Sequence, residues 1–236
     1  MEMMQVRESG SGAQMHGSCE FYKKLSPEAL KHFTSLTNSS SYPANMILFQ
    51  EKAMPGNVYV VLEGEVRLSI NSSEGRRLSI RIARKGDILG LASALSGKPH
   101  EMSAETLYPA KLAPIERREF LGFLMRYPAA YQAVSEEISR EYAITCDQLR
   151  TLGLSSSVPE KLARLLLDWS ETGQTTESGS RLRFSLTHEQ IGEFIGASRE
   201  TVTRTLSIFK ERQLVACHGS ILTIPSRAAL QSFACV

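Results

Sequence analysis

The chain is predicted to be an α+β protein in three stretches: short β-strands first, one long helix next, and a helix-turn-helix with a hairpin last. Three observations carry this. Between Tyr42 and Ile115 short β-type runs alternate with turn residues. Pro128 and Gly153 stand where a long helix would begin and end. Thr187 to Lys210 reads as two short helices separated by too few residues for anything but a sharp turn.

With 236 residues and 42% hydrophobic content, two small domains are the better expectation. A formal net charge of +2 and a pI near 8.3 do not by themselves announce a nucleic-acid protein. Cys19, Cys146, Cys217 and Cys235 show no CxxC or ligand spacing and are expected as free thiols in a reducing cytoplasm. No apolar run reaches the length of about 18 residues that a membrane span requires, and no signal peptide is evident, so no membrane partner is expected.

Residues 1–18, rich in Gly, Ser, Gln and Met, are expected to form a flexible tail. Ser26-Pro27-Glu28 opens a short helix with Leu30 and Phe33 on one side. The runs at 46–49, 58–62, 66–70, 78–82 and 110–115 are separated by turn signals such as Pro55-Gly56, Gly64 and Lys85-Gly86-Asp87. Many short strands at this interval predict a jelly roll over residues 19–126. The barrel region holds only His100, with no His and carboxylate cluster, no nucleophile elbow and no phosphate-gripping GxxxxGK[ST]. The chain is therefore not expected to be an enzyme, and no metal site is predicted.

A helix over 127–153 carries Tyr131, Ile138, Thr145 and Leu152 at seven-residue spacing, the period of a coiled-coil seam. Its companion column is assigned to Val134, Glu141 and Gln148, and the helix to homodimer contact. Ser157-Val-Pro-Glu160 is a capping box after a serine-rich joint, the expected hinge before a domain spanning 154–236. Residues 171–180 read as a polar loop.

Thr187 with Gln190 forms another capping box, burying Ile191, Phe194 and Ile195, and Gly196-Ala197 ends that helix. Ser198 caps the next, which runs to about Arg212. At about 100° per residue, Val202, Thr205, Leu206 and Phe209 fall on one side and Arg199, Glu200, Thr203 and Arg204 mostly opposite. Arg can span guanine N7 and O6, and a carboxylate can accept from the cytosine amino group. An amphipathic helix whose Glu200 and Arg204 simply pair is the alternative from the helix alone. Leu214–Ala216 and 221–224, around His218-Gly219-Ser220, read as a hairpin wing.

SRETVTRTL followed by a hydrophobic turn and an HG hairpin resembles the DNA-binding region of the CRP/FNR transcription factors, and the resemblance extends over roughly residues 20–230. It implies double-stranded DNA, a second copy and RNA polymerase as partners, with base contacts from Arg199, Glu200 and Arg204 on a TGTGA-like half-site, and Thr203 on the same face is assigned to base reading with them. Thr187, Ser198, Thr201 and His218 fall where family members touch phosphates. In cyclic-nucleotide-binding members, a Glu after the cassette glycine holds the ribose and an Arg before a Ser neutralises the phosphate. Here Gly90 is followed by Leu91, and Met102 precedes Ser103. Cys146 and Asp147 fall near where the family presents hydroxyls to adenine, and neither replaces them well. The expectation is no resident cofactor and weak or absent cyclic AMP binding, with another effector, or haem through His100, as the open alternatives. His100 itself is expected as a surface or capping residue.

Overall fold

The computed structural model describes residues 20–171, 173–176, 179–183 and 186–234. The tail expected over 1–18, together with Cys19 and Cys235, lies outside the described residues. Two compact units are present, one running up to Asn71 and resuming over Arg81–Ala143, the other comprising Ser72–Ile80 and Ile144 onward.

Helices α1 (Glu20–Lys23) and α2 (Pro27–Leu36) lead the chain in. Ser26 caps α2 by accepting from Ala29 N at 3.2 Å, and Pro27 follows where its missing N–H costs nothing. Phe33 is fully buried, edge-on to Phe21 and Tyr22.

The strands are β1 (Ser40–Tyr42), β2 (Ile47–Phe49), β3 (Asn57–Glu63), β4 (Val66–Asn71), β5 (Arg77–Ala83), β6 (Ile88–Leu89), β7 (Ser103–Thr106) and β8 (Ala110–Glu116). Helix α3 (Leu91–Ser96) interrupts them after β6. They form two four-stranded sheets, β1-β8-β3-β6 and β2-β7-β4-β5. Val61, Val66, Leu68, Ala104 and Leu112 make the core between them. Every run expected from the sequence is a strand. The additional β1, β6 and β7 are two to four residues long, too short for alternation to reveal them.

Helices α4 (Arg117–Arg126) and α5 (Pro128–Leu154) follow. Gly153 does not end α5, which continues through Leu154. The companion column also differs. Val134 is fully buried, Glu141 pairs with Arg81, and Gln148 Nε2 donates to the carbonyls of Ser79 at 3.2 Å and Phe194 at 2.6 Å. These three positions are engaged within the chain itself. The outward positions at heptad spacing are Ser135, Tyr142 and Leu149, and Tyr142 is 71% and Leu149 59% exposed.

In the second unit come α6 (Val158–Glu171), β9 (Gln174–Thr176), β10 (Gly179–Arg183), α7 (His188–Ile195), α8 (Arg199–Glu211), β11 (Ala216–His218), β12 (Ile221–Ile224) and α9 (Arg227–Ala234). The stretch expected as a polar loop over 171–180 instead contributes β9 and the start of β10, which extend the wing into a sheet ordered β11-β12-β10-β9. Pairing to β12 supplies the order that its Thr and Gly composition alone does not. On α6, Leu162, Leu165 and Leu166 are buried, and Trp169 meets Phe194 edge-on at 5.3 Å. Glu160 N donates to Ser157 Oγ at 3.3 Å, while the Glu160 carboxylate accepts from Ser156 N at 2.7 Å.

Candidate nucleic-acid interface and effector cassette

Both capping predictions hold in atomic detail. Gln190 N donates to Thr187 Oγ1 at 3.2 Å and Thr187 N to Gln190 Oε1 at 2.9 Å, closing the box. Gly196 takes φ 63° to end α7, and Ala197 N donates back to Gly192 O at 3.0 Å. A Cβ on Gly192 would stand 2.3 Å from Ala197 O, so the sharpness of this turn depends on that glycine. Ser198 Oγ then accepts from Thr201 N at 3.3 Å and starts α8.

Val202, Thr205, Leu206 and Phe209 are buried, fixing α8 by one face. Burial of each large apolar side chain is worth about 1.5–3 kcal/mol. Arg199, Glu200, Thr203 and Arg204 are all exposed. Among the described residues neither Arg199 nor Arg204 forms a salt bridge, so the Glu200–Arg204 pair of the alternative reading is not made. Glu200 lies below the ordinary carboxylate range because its own backbone N–H and the Ser198 hydroxyl donate to it and Arg199 stands beside it. It is a ready acceptor at neutral pH. One end of the turn thus presents two free guanidinium forks and an anionic acceptor on a rigidly held helix.

Of the residues expected at phosphates, Thr187 accepts a capping bond and keeps its hydroxyl proton for an outside oxygen. Ser198 Oγ and Thr201 Oγ1 are 3.1 Å apart; with the Ser198 hydroxyl donating to Glu200, the proton between them is Thr201's, so both hydroxyl protons are engaged within the turn. His218 is exposed at the end of β11.

The cassette in the first unit is built differently. Gly90 takes φ 82° ahead of α3, and Leu91 is fully buried in the core with Val58, Ile88 and Phe120. Met102 packs on the inter-sheet core. Ser103 Oγ accepts from Glu51 N at 2.9 Å. The ribose carboxylate and phosphate cation that a cyclic nucleotide needs have no counterpart at these positions. Cys146 and Asp147 belong to the second unit, where Asp147 pairs with Arg150.

His100 corrects its expectation as a surface residue: it is 4% exposed, stacked on Phe49 at 4.0 Å, with Nδ1 2.6 Å from Ser93 Oγ. The cause is α3, which ends at Gly97 and returns the chain across Gly90, so that His100 fills the cradle. Burial holds its pKa below the ordinary histidine value, with Glu101 opposing.

Two buried cations lie outside the linear cassette and were not legible as site residues. Arg67 on β4 pairs with Glu105 on β7 at 2.8 Å, directly opposite in register. Arg81 on β5 pairs with Asp87 at 2.9 Å and with Glu141 at 2.5 Å. Burial would lower the Arg81 pKa, but the two carboxylates outweigh it. Both guanidinium groups are engaged by carboxylates of the protein itself. An Arg within an otherwise apolar strand, as in VRLSI and LSIRI, is the signal that could have found them.

Comparison with known proteins agrees with this geometry. Residues 39–127 fit the family model of the cyclic nucleotide-binding domain, and residues 160–233 that of the Crp-like helix-turn-helix domain. The chain is 24% identical over 204 residues to the CRP-like cAMP-activated global transcriptional regulator of Mycobacterium tuberculosis, covering 86% of this chain and 91% of that one. It is 28% identical over 193 residues to the transcriptional activatory protein AadR of Rhodopseudomonas palustris, covering 81% and 79%. Its fold matches FixK2 from Bradyrhizobium japonicum with a TM-score of 0.76 at 21% identity, over 85% of this chain and 98% of that one. A CooA variant from Carboxydothermus hydrogenoformans matches with a TM-score of 0.73 at 18% identity, over 97% and 98%. With a β-sheet domain, a long helix and a helix-turn-helix in the expected order, the chain belongs to the CRP/FNR family of DNA-binding transcription regulators.

Proposed function

We propose that this chain binds, as a homodimer, a palindrome with TGTGA-like half-sites, and that cyclic AMP does not control it. The observation that carries the DNA reading is the exposed set Arg199, Glu200 and Arg204, with neither guanidinium in a salt bridge among the described residues, on a helix docked by its opposite face. Dimer contact is supported by the outward stripe on α5, where Tyr142 and Leu149 would otherwise leave large apolar side chains in water. A two-fold dimer sets its reading helices about 34 Å apart, hence half-site centres about 10 to 11 bp apart. RNA polymerase is the protein partner this reading implies.

The relative in Mycobacterium tuberculosis is named as cAMP-activated. That property is not carried over, because Leu91 and Met102 replace the two charged anchors. Haem ligation through His100 is disfavoured by its contacts with Ser93 and Phe49. An effector of another class, or a dimer competent without one, fits this cassette better.

The test is fluorescence anisotropy on a TGTGA-N6-TCACA duplex against a scrambled duplex at fixed salt, with and without cyclic AMP. Specific binding that is indifferent to the nucleotide is the expected result. Binding only in its presence overturns the effector assignment, and equal affinity for both duplexes overturns the DNA assignment.

A further inference from the structure

A cleft of about 170 Å³ lies between α1 and the first half of α5. Among the described residues it is lined by Phe21 and Lys24 from the short helix and by Ala133, Glu136, Glu137 and Arg140 from the long one. At about 100° per residue, these α5 positions face away from the outward stripe of Ser135, Tyr142 and Leu149, so covering that stripe does not cover the cleft. The floor is apolar, with Phe21 1% and Ala133 3% exposed. Above it stand two cations and two carboxylates, paired as Lys24 with Glu136 and Arg140 with Glu137. Glu137 is buried, while the side chains of Lys24, Glu136 and Arg140 are 38%, 46% and 40% exposed and form the mouth.

Size and charge pattern select the ligand. The volume is below the roughly 300–1,000 Å³ of sites for drug-sized molecules, so the occupant is a small metabolite. A net anion is repelled by Glu136 and Glu137, and a metal ion or simple amine by Lys24 and Arg140, so a lining whose charges sum to zero favours neither. A molecule carrying both charges a few bonds apart is matched at each end. We propose that this cleft binds a free α-amino acid with a small apolar side chain. The carboxylate lies between Lys24 and Arg140, the ammonium between Glu136 and Glu137, and the side chain on Phe21 and Ala133. Ion pairs exposed at a mouth are worth at most about 1 kcal/mol, so opening them around a ligand costs little, and charge-assisted hydrogen bonds to the ligand replace them. The amino acid then joins α1 to α5. No residue of the cassette or of α8 takes part, so the proposal is independent of the cyclic AMP and DNA readings.

The test is equilibrium dialysis of the full chain against radiolabelled L-alanine, L-valine and L-leucine, with unlabelled analogues as competitors. The expected result is saturable binding of at least one of the three at one site per chain. The amide of that amino acid, which keeps the ammonium and lacks the carboxylate, should compete at least about tenfold more weakly, and so should its N-acetyl derivative, which lacks the ammonium. Ala133→Leu, which fills the floor without altering a charge, should abolish binding. Lys24→Met, at the exposed mouth, should weaken it about tenfold while leaving the melting temperature unchanged. Absence of saturable binding by all three amino acids overturns the proposal. Equal competition by the amide and the N-acetyl derivative also overturns it, because the site would then be reading apolar surface alone. Undiminished binding by Ala133→Leu overturns it by placing the ligand elsewhere. The analogues act on the unaltered protein, so the outcome does not depend on a variant folding.

Discussion

The charged residues of the β unit and those of the reading helix are disposed in opposite ways. In the β unit Arg67 and Arg81 turn inward and are each met by carboxylates, so their chemistry is consumed by the fold. On α8, Arg199 and Arg204 turn outward, and among the described residues neither forms a salt bridge. A buried guanidinium is retained only if the protein compensates its lost hydration, whereas an exposed one can be left without a protein partner at little cost and kept for a ligand. The same residue type is therefore held by carboxylates in one unit and presented to solvent in the other, where the proposed function assigns it to recognition.

The largest expected effect comes from breaking the inward arrangement. Arg81→Ala removes the cation shared by Asp87 and Glu141 in a largely buried site, and should cost up to about 3 kcal/mol of stability. Arg81→Met combined with Glu141→Leu replaces most of that pairing with apolar volume and should cost much less. Urea unfolding separates the units, since Trp169, the chain's one tryptophan, lies in the second and reports it, while far-UV circular dichroism reports both. Equal loss in the single and double variants would show that Arg81 matters for packing, not for charge.

Next in size are the outward arginines. Arg199→Ala and Arg204→Ala should each weaken DNA binding by about 1–3 kcal/mol and relax base choice at one guanine. Their thermal stability should change by no more than about 0.5 kcal/mol, as for surface positions free of packing roles. A uniform loss on all duplexes would mark them as phosphate contacts instead, and a melted variant would erase the contrast with Arg81.

The helix-turn-helix was legible because its signals are local. Thr187, Gln190, Gly196 and Ser198 each act within four residues of sequence, and the structure realises each bond they suggest. What escaped the sequence depends on partners far along the chain. Gln148 looks like a polar flaw in a heptad until the carbonyls of Ser79 and Phe194, 69 and 46 residues away, are seen to need its amide. The strands β9 and β10 are ordered by β12, and the inward turn of Arg81 by Glu141, 60 residues on. Periodicity can place a residue on a face, but which face is buried is decided by the rest of the fold.

His100 gives the smallest effect and sharpens the comparison from the cassette side. Burial disfavours its imidazolium and outweighs the opposing Glu101, so its folded pKa lies below that of the unfolded chain, about 6.5. Between the two values the unfolded chain binds more protons, and stability falls as pH drops. The contribution is fully present above the unfolded value and is lost as pH falls through the folded one. Urea unfolding by circular dichroism at about pH 7.5 and about pH 5.5 should show this loss in the unmodified protein. His100→Asn, which can still bond Ser93 Oγ but does not titrate, should reduce it, while His188, also lowered by burial, acts in the same sense and Asp168, raised to about 6 by burial, in the opposite one. If the slope is unchanged by that substitution, the pH response belongs to those other groups. If it falls, the buried imidazole beside Gly90 contributes to it, and a ligand entering there must displace a side chain that the fold has already satisfied.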